Sequence, residues 1–484
     1  MRPRKNTTSP SGSPHKPGAT EEFIKVIGSP KVLEAKFTKW IIGLVLTLIT
    51  AVIVGRATNL INPLFNGPEE YKVYVVGGNA NRSEDFAAHF WDTFESSWSD
   101  VKAHGKPVTA EYKEDRWNEE TAAEIARKIS SSKDAIMVIG HFSSSTSKVA
   151  LKAYMNADPP IPVLLTTETN PDLIPEELRS NHEIVKKLPI YRLWPTDIQQ
   201  ANSIAKYSAA SKSKNVWVVE DHWTNPLYSH FLAEQVVAGL QSQKLLGVNV
   251  VLWSLNENLL SKQTLLDLGI DSIIFVGVAT NALIFVSQIN QLYCKDKGQP
   301  DCPDKPKMFL TDAALELEVI QNSINAFEGI YFTHPELVTC KPIGENKNST
   351  TLLRIDYIAG DAALIAKQII KEAEKYIKPP LYRKILGIQS VEDIRKAIIV
   401  AMNNSKFQDE DNPGKHFNRV PRPNETDTVQ YHFDKEGINK DASFQLWQVK
   451  KGQFNLVEEK DNTLETKICI SPKADSSGAG VATH

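Results

Sequence analysis

Two short turns hold a dense set of hydrogen-bonding side chains. Gly140-His141-Phe142-Ser143-Ser144-Ser145-Thr146-Ser147 follows the apolar run Ala135–Ile139, and Thr166-Thr167-Glu168-Thr169-Asn170-Pro171 follows Val163–Leu165. Each turn leads toward a helix N-terminus. There, backbone N–H groups and hydroxyls form a site for a carboxylate or phosphate. Ser and Thr also cap helices at these positions, and for one turn alone that role is the simpler one. Two such turns in successive units converge on one crevice, which keeps a shared ligand open beside plain capping.

Other chemistries lack their residues. Ser144 is not in a G-x-S-x-G elbow and has no identifiable His/Asp partner, which argues against a hydrolase. His182-Glu183 does not extend to H-E-x-x-H, and Gly77-Gly78 is not G-x-G-x-x-G. The four cysteines form no C-x-x-C pair. No enzyme activity, metal or cofactor is therefore expected. His141 reads as a structural imidazole. Cys294 and Cys302 bracket a short polar loop, YCKDKGQPDCP, which outside a membrane reads as a local disulfide; Cys340 and Cys469 are left to pair or stay free.

The elements that must position these turns alternate along the chain. A length of 484 residues with 41% hydrophobic and 23% charged residues suits two or three globular domains. The net charge of −3 argues against a dedicated nucleic-acid binder. From Tyr71 on, β-rich runs (71–76, 108–112, 135–139, 163–166, 216–219, 248–253, 272–276) alternate with stretches of helical spacing (83–101, 119–131, 146–155, 198–208, 228–241, 261–268, 282–293). Such alternation predicts βαβ units and parallel sheets. There are too many units for one sheet, so the expected architecture is α/β with two doubly wound lobes. Ligands in such sheets bind beyond the carboxyl ends of the strands.

The N-terminus suggests a membrane. Residues 1–37, rich in Ser, Thr, Pro and basic residues, read as a disordered cytoplasmic tail. Trp40–Gly55 gives sixteen residues without a charge, and with flanking apolar residues predicts a transmembrane helix over 38–58. Residues 1–39 hold eight Lys/Arg against three Glu, whereas the fifteen residues after Arg56 hold no Lys or Arg. The positive-inside rule then places the tail in the cytoplasm and the rest outside. No A-x-A site follows the apolar core, so the expectation is an uncleaved signal-anchor, single-pass in the plasma (inner) membrane. The end of the chain, 462–484, reads as a second disordered tail.

An ordered set of stretches resembles the type 1 periplasmic binding proteins, in particular the leucine/isoleucine/valine-binding proteins and the ligand-binding regions of related receptors. They are IGHFSSSTS (139–147), PVLLTTETNPDL (162–173), YRLWPTDIQQANSIAKY (191–207), VWVVEDHWTNPLYSHFLAEQV (216–236), DSIIFVG (271–277), MFLTDAAL (308–315), AFEGIYFTHPEL (326–337), YIAGDAALIAKQI (357–369) and YHFDKEGINKDASFQLWQVKKGQF (431–454). Together they span Tyr71 to Val457, roughly 80% of the chain.

The resemblance implies two α/β lobes, one of 71–194 plus 334–432 and the other of 195–333 plus 433–458, with crossovers near 194–196, 332–335 and 433–436. It implies a ligand held between them. Carried over by motif, the ligand carboxylate falls to Ser144, with Ser145 beside it, and to Thr167 and Thr169. The ligand ammonium falls to Asp312, and an aromatic lid to Tyr228, with Asn225 as the rival alignment. An amino acid needs such donors and such an acceptor. Asp312 could equally cap the helix that follows it. The sequence departs from the family in its first loop (Gly77–Ser83), at Val278-Ala279, and at Ser143, where the family carries a disulfide cysteine. Two functions remain open. One is a membrane-anchored solute-binding protein for an amino acid or related carboxylate, partnered by an ABC permease. The other is a receptor-like sensor acting through a signalling partner in the membrane.

Overall fold

A computed structural model describes residues 30–57 and, with breaks, 68–468; the longer breaks fall within 81–85, 175–186, 244–247, 254–261, 295–304, 316–322, 336–353, 380–389, 407–416 and 419–429. The chain divides into two units, Met1–Asn66 and Gly67–His484.

The first unit contributes helix α1 (Pro30–Ala57). Its described side chains run from Phe37 to Ala51 and are all exposed, large apolar ones such as Trp40 and Leu48 included. Thr47 and Thr50 donate their hydroxyls to the carbonyls of Gly43 and Leu46, both at 2.8 Å, so these two polar groups are satisfied within the helix. Among the described residues, no helix is long and apolar enough to cross a membrane.

The second unit opens with a six-stranded sheet. Its strands are β1 (Tyr71–Gly77), β2 (Lys102–Ala103), β3 (Lys106–Glu114), β4 (Ala135–Gly140), β5 (Val163–Leu165) and β6 (Ile190–Arg192), in spatial order β2-β3-β1-β4-β5-β6. All pairings are parallel except the short β2–β3 edge. The crossovers are α2 (Phe86–Ser97), α3 (Glu119–Ser130) and α4 (Ser144–Met155). Side-chain alternation explains why β1 is apolar apart from the half-buried Lys72: Tyr71, Val73 and Val75 pack with Phe90 and Phe94 on one face, and Tyr74 and Val76 with Ala126, Ile129 and Tyr154 on the other.

A second, eight-stranded sheet follows. It holds β7 (Val216–Asp221), β8 (Val248–Trp253), β9 (Ser272–Val276), β10 (Lys307–Leu310) and β11 (Tyr331–Pro335), with α5 (Asp197–Ala210), α6 (Pro226–Ser242), α7 (Lys262–Asp267) and α8 (Ala279–Tyr293). The chain then supplies α9 (Arg354–Ala373) and α10 (Val391–Ser405), whose Ile358, Ile365, Ile369, Ile394 and Ile398 join the core of the first sheet. The small pair β12 (Phe417–Asn418) and β13 (Gln430–Tyr431) comes next, then β14 (Phe444–Lys450), β15 (Gln453–Lys460) and β16 (Thr463–Ile468). The order in the second sheet is β16-β15-β14-β11-β10-β9-β7-β8.

Its last three strands differ from the parallel expectation. β14 pairs antiparallel to β11, β15 to β14 and β16 to β15. Connections as short as 451–452 and 461–462 can only reverse the chain, since a parallel return needs a dozen residues or more. The expected disordered tail from 462 is corrected over Thr463–Ile468, which is β16.

Both sheets place β1 or β7 beside β4 or β9, with the later strands running outward on that side and β3 or β8 on the other. Strand order therefore reverses between β1 and β4 and between β7 and β9. These are the switch points where a crevice opens beyond the strand ends. The segment after Phe433 runs beside the first crossover: Arg192 N donates to Gly437 O (2.8 Å), and Asn439 Nδ2 to Leu193 O (3.0 Å). Cys294, at the end of α8, and Cys302 form a disulfide with Cα atoms 5.2 Å apart. Cys340 and Cys469 lie outside the described residues.

Candidate functional site

The end of β4 builds the serine turn. Gly140 has φ +101°, and a Cβ there would lie 2.1 Å from the Val76 carbonyl oxygen, so glycine lets β4 turn tightly against β1. His141 is fully buried; its Nδ1 lies 2.7 Å from Asp115 Oδ2 and its Nε2 3.1 Å from the Tyr154 hydroxyl. Both ring nitrogens are thus engaged, which fits the structural role. Ser143 caps α4, its hydroxyl accepting from Thr146 N at 3.3 Å. Ser144 is the first helical residue and is buried, and its hydroxyl has no hydrogen-bond partner among the described residues. Ser145 is half-buried, its hydroxyl 3.4 Å from that of Ser143. The N–H groups at the start of a helix lack an intrahelical acceptor, so this turn can receive one.

The second turn is locked to the first. The Thr167 hydroxyl donates to Phe142 O at 2.9 Å. Glu168, buried to 1% exposure, accepts from Thr166 N (2.6 Å), Thr167 N (2.8 Å) and the Ser147 hydroxyl (2.9 Å). The two donors expected from Thr167 are therefore both used within the protein. Burial pushes the Glu168 carboxyl up to about 7, while its own hydrogen bonds and Arg192 pull the other way. The buried Arg192 guanidinium donates to the Glu168 backbone carbonyl. Thr169 is buried, and its carbonyl accepts from Asp197 N at 2.8 Å. Asn170 Nδ2 donates to Leu227 O at 3.2 Å, tying this turn to the start of α6.

Asp197 then connects the turn to the second sheet. It is the first residue of α5, after Thr196, whose capping box with Gln199 already satisfies the helix start. Its carboxylate is free of capping duty, and neither oxygen has a hydrogen bond within geometric limits among the described residues. Burial pushes its carboxyl up to about 8. The Thr169 side chain and Arg192 oppose that shift, and the Asp312 carboxylate adds to it. Asp312 follows β10 and opens a one-turn helix whose cap position is Thr311, and its carboxylate draws on the backbone amides of Ala313 and Asp312 at that helix start as well as on Tyr228. Tyr228, on the buried face of α6, donates its hydroxyl to Asp312 Oδ1 at 2.6 Å. Burial raises the Asp312 carboxyl, and Tyr228 and Gln200 offset part of the rise. Gln200 directs Nε2 to the Thr333 hydroxyl (3.0 Å) and leaves Oε1 without a partner. Asn225 occupies the cap position of α6 without a side-chain cap bond.

The structure thus joins the two turns directly and brings Thr169, through Asp197, to Asp312 and Tyr228. Sequence reasoning missed Asp197, Glu168 and Arg192. Thr196-Asp197-Ile198-Gln199 reads as an ordinary capping box, and only the burial of Asp197 marks its carboxylate as spare. The cluster is rich in acceptors and suits a donor-rich cation.

No protein-family model matches the chain, and no curated protein matches it. Solved structures do resemble it. An ABC transporter substrate-binding protein from Desulfitobacterium hafniense, in complex with Leu, shares 15% identity with a TM-score of 0.55 over 80% of this chain and 100% of that one. A leucine-binding protein from Thermotoga maritima shares 16% with a TM-score of 0.56, over 83% and 99%. A type 1 periplasmic binding protein from Bordetella pertussis shares 13% with a TM-score of 0.56, over 82% and 100%. Identities this low speak for architecture alone, and the architecture of this chain is that of the type 1 periplasmic binding proteins.

Proposed function

We propose that this chain is a membrane-anchored, extracytoplasmic solute-binding protein that takes a small amino-acid-like ligand between its two sheets and hands it to an ABC-type permease. The buried Asp197–Asp312–Tyr228 cluster carries this reading. Two buried carboxyl groups close enough to raise one another, one of them with both oxygens lacking a donor among the described residues, call for an ammonium. Ser144 and the first turn of α4 would receive the polar end opposite the ammonium, with Ser145 at its rim. Thr169 would position Asp197, and Thr167 would brace the serine turn. The similar structures include substrate-binding proteins of ABC transporters, which supports the permease partner. The anchor rests on α1 and on the charge asymmetry around it.

The test is calorimetric titration of the full chain with the common amino acids and with simple amines. An ammonium ligand should bind, and Asp312→Ala should weaken it by roughly a hundredfold or more, because a buried charge would lose its partner at about 3–5 kcal/mol. If neither an amino acid nor an amine gives heat or raises the melting temperature, the ammonium-binding reading is wrong.

A further inference from the structure

The acids of the site outnumber its bases. Glu168, Asp197 and Asp312 are exposed by 1%, 0% and 7%. Arg192 is the cation set against Glu168 and Asp197, and it is already bonded to the Glu168 carbonyl. The groups that offset Asp312 are Tyr228, Gln200 and the backbone amides of Ala313 and Asp312, all uncharged. Acceptors are in excess as well: Asp197 Oδ1 and Oδ2 and Gln200 Oε1 are buried without donors among the described residues. Glu168 tilts the balance further, because its carboxylate occupies the N–H groups of Thr166 and Thr167 that a ligand carboxylate would otherwise use.

From this balance, and resting on the ammonium-binding reading above, we propose that the site selects a ligand of net positive charge over a zwitterion such as leucine. A zwitterion brings its own anion into a pocket where carboxylates already outnumber cations and one set of backbone donors is taken. A cation supplies donors to Asp197 and Gln200 and leaves the Glu168–Arg192 contacts intact. Burial amplifies the difference, since an uncompensated charge in a water-poor site has no solvent to screen it. Without ligand, the carboxyl groups reach neutrality by holding protons, consistent with the upward displacement of Glu168 and Asp197.

Titration of the full chain at pH 7 with L-leucine amide, L-lysine, L-leucine and L-glutamate tests this. The amide and lysine are expected to bind at least tenfold more tightly than leucine, with glutamate weakest. A tight amide with lysine no tighter than leucine would overturn selection by net charge and point to rejection of the ligand carboxylate alone. Tight binding of both would identify net charge. In Asp197→Asn the preference for the amide over leucine should collapse toward one. Should that variant fail to fold, the lysine-to-leucine affinity ratio of the unmodified chain still decides, since it should rise from pH 6 to pH 8 as the acids ionise. Leucine binding as tightly as the amide or lysine overturns the charge selection and leaves the ammonium site standing. Binding of none of the four, together with the simple amines, removes the ammonium site itself and this inference with it.

Discussion

Asp197 is an acid that must either keep its proton or find a cation. Its carboxyl is raised to about 8 and that of Glu168 to about 7, both chiefly by burial. An acid with a raised folded value binds more protons folded than unfolded, so its contribution to stability is complete below the unfolded value and lost as pH rises through the folded one. The unliganded chain should therefore melt at progressively lower temperature between about pH 5 and pH 8, at up to about 1.4 kcal/mol per pH unit for one such group. Asp197→Asn, which stays neutral, should flatten that slope, and a bound cation should flatten it in the unmodified chain. Melting curves across this range check both; a slope that rises with pH would remove the protonated-acid account. At the neighbouring position, Tyr228→Phe deletes the 2.6 Å bond to Asp312 and leaves a buried carboxyl short of a donor. It should lower stability by about 1–3 kcal/mol, read from denaturant midpoints.

At the scale of the element, two local features can be tested. Gly140→Ala would place a Cβ against the Val76 carbonyl at a φ of +101°. That is a steric and a conformational penalty together, and the loss of stability should exceed the roughly 1 kcal/mol of an ordinary Gly→Ala strain. The Cys294–Cys302 bridge, with a sequence separation of 8, closes a short loop. Its removal should cost about 2–3 kcal/mol, and a non-reduced digest should yield the linked peptide. These elements were legible because their signals are local: hydroxyls before α4, a glycine where β4 ends, two cysteines around a polar loop. The alternation of apolar runs and helical spacing likewise exposed the parallel parts of both sheets. β16 was not legible, because Thr463–Ile468 holds four polar residues and only two apolar ones and gains its place from pairing with β15. The site was half legible for the same reason. Ser144, Thr167, Thr169, Tyr228 and Asp312 lie in recognisable stretches, whereas the spare carboxylate of Asp197 and the inward turn of Glu168 follow from burial, which no single stretch encodes.

For the whole molecule, the proposed function depends on where the second unit resides. If α1 is the anchor we propose, the eight Lys/Arg before residue 40 and the absence of Lys or Arg in the fifteen residues after Arg56 would set it N-in. With the α/β unit outside, as proposed, the Cys294–Cys302 bridge would lie in an oxidising compartment, where such bonds persist. An uncleaved anchor would also hold the binding sites close to a permease in the same membrane, so that release and capture take place at high local concentration. Protease added to intact cells or spheroplasts should then digest the α/β unit and spare residues 1–39, and the chain recovered from membranes should keep its N-terminal tail. Replacing the basic residues before Trp40 with uncharged ones should reduce the fraction of chains whose α/β unit is accessible. Full protection of the chain, or a mature N-terminus beginning after residue 56, would detach the binding site from the membrane and remove the anchored-delivery role, while the ammonium site would stand on its own titrations.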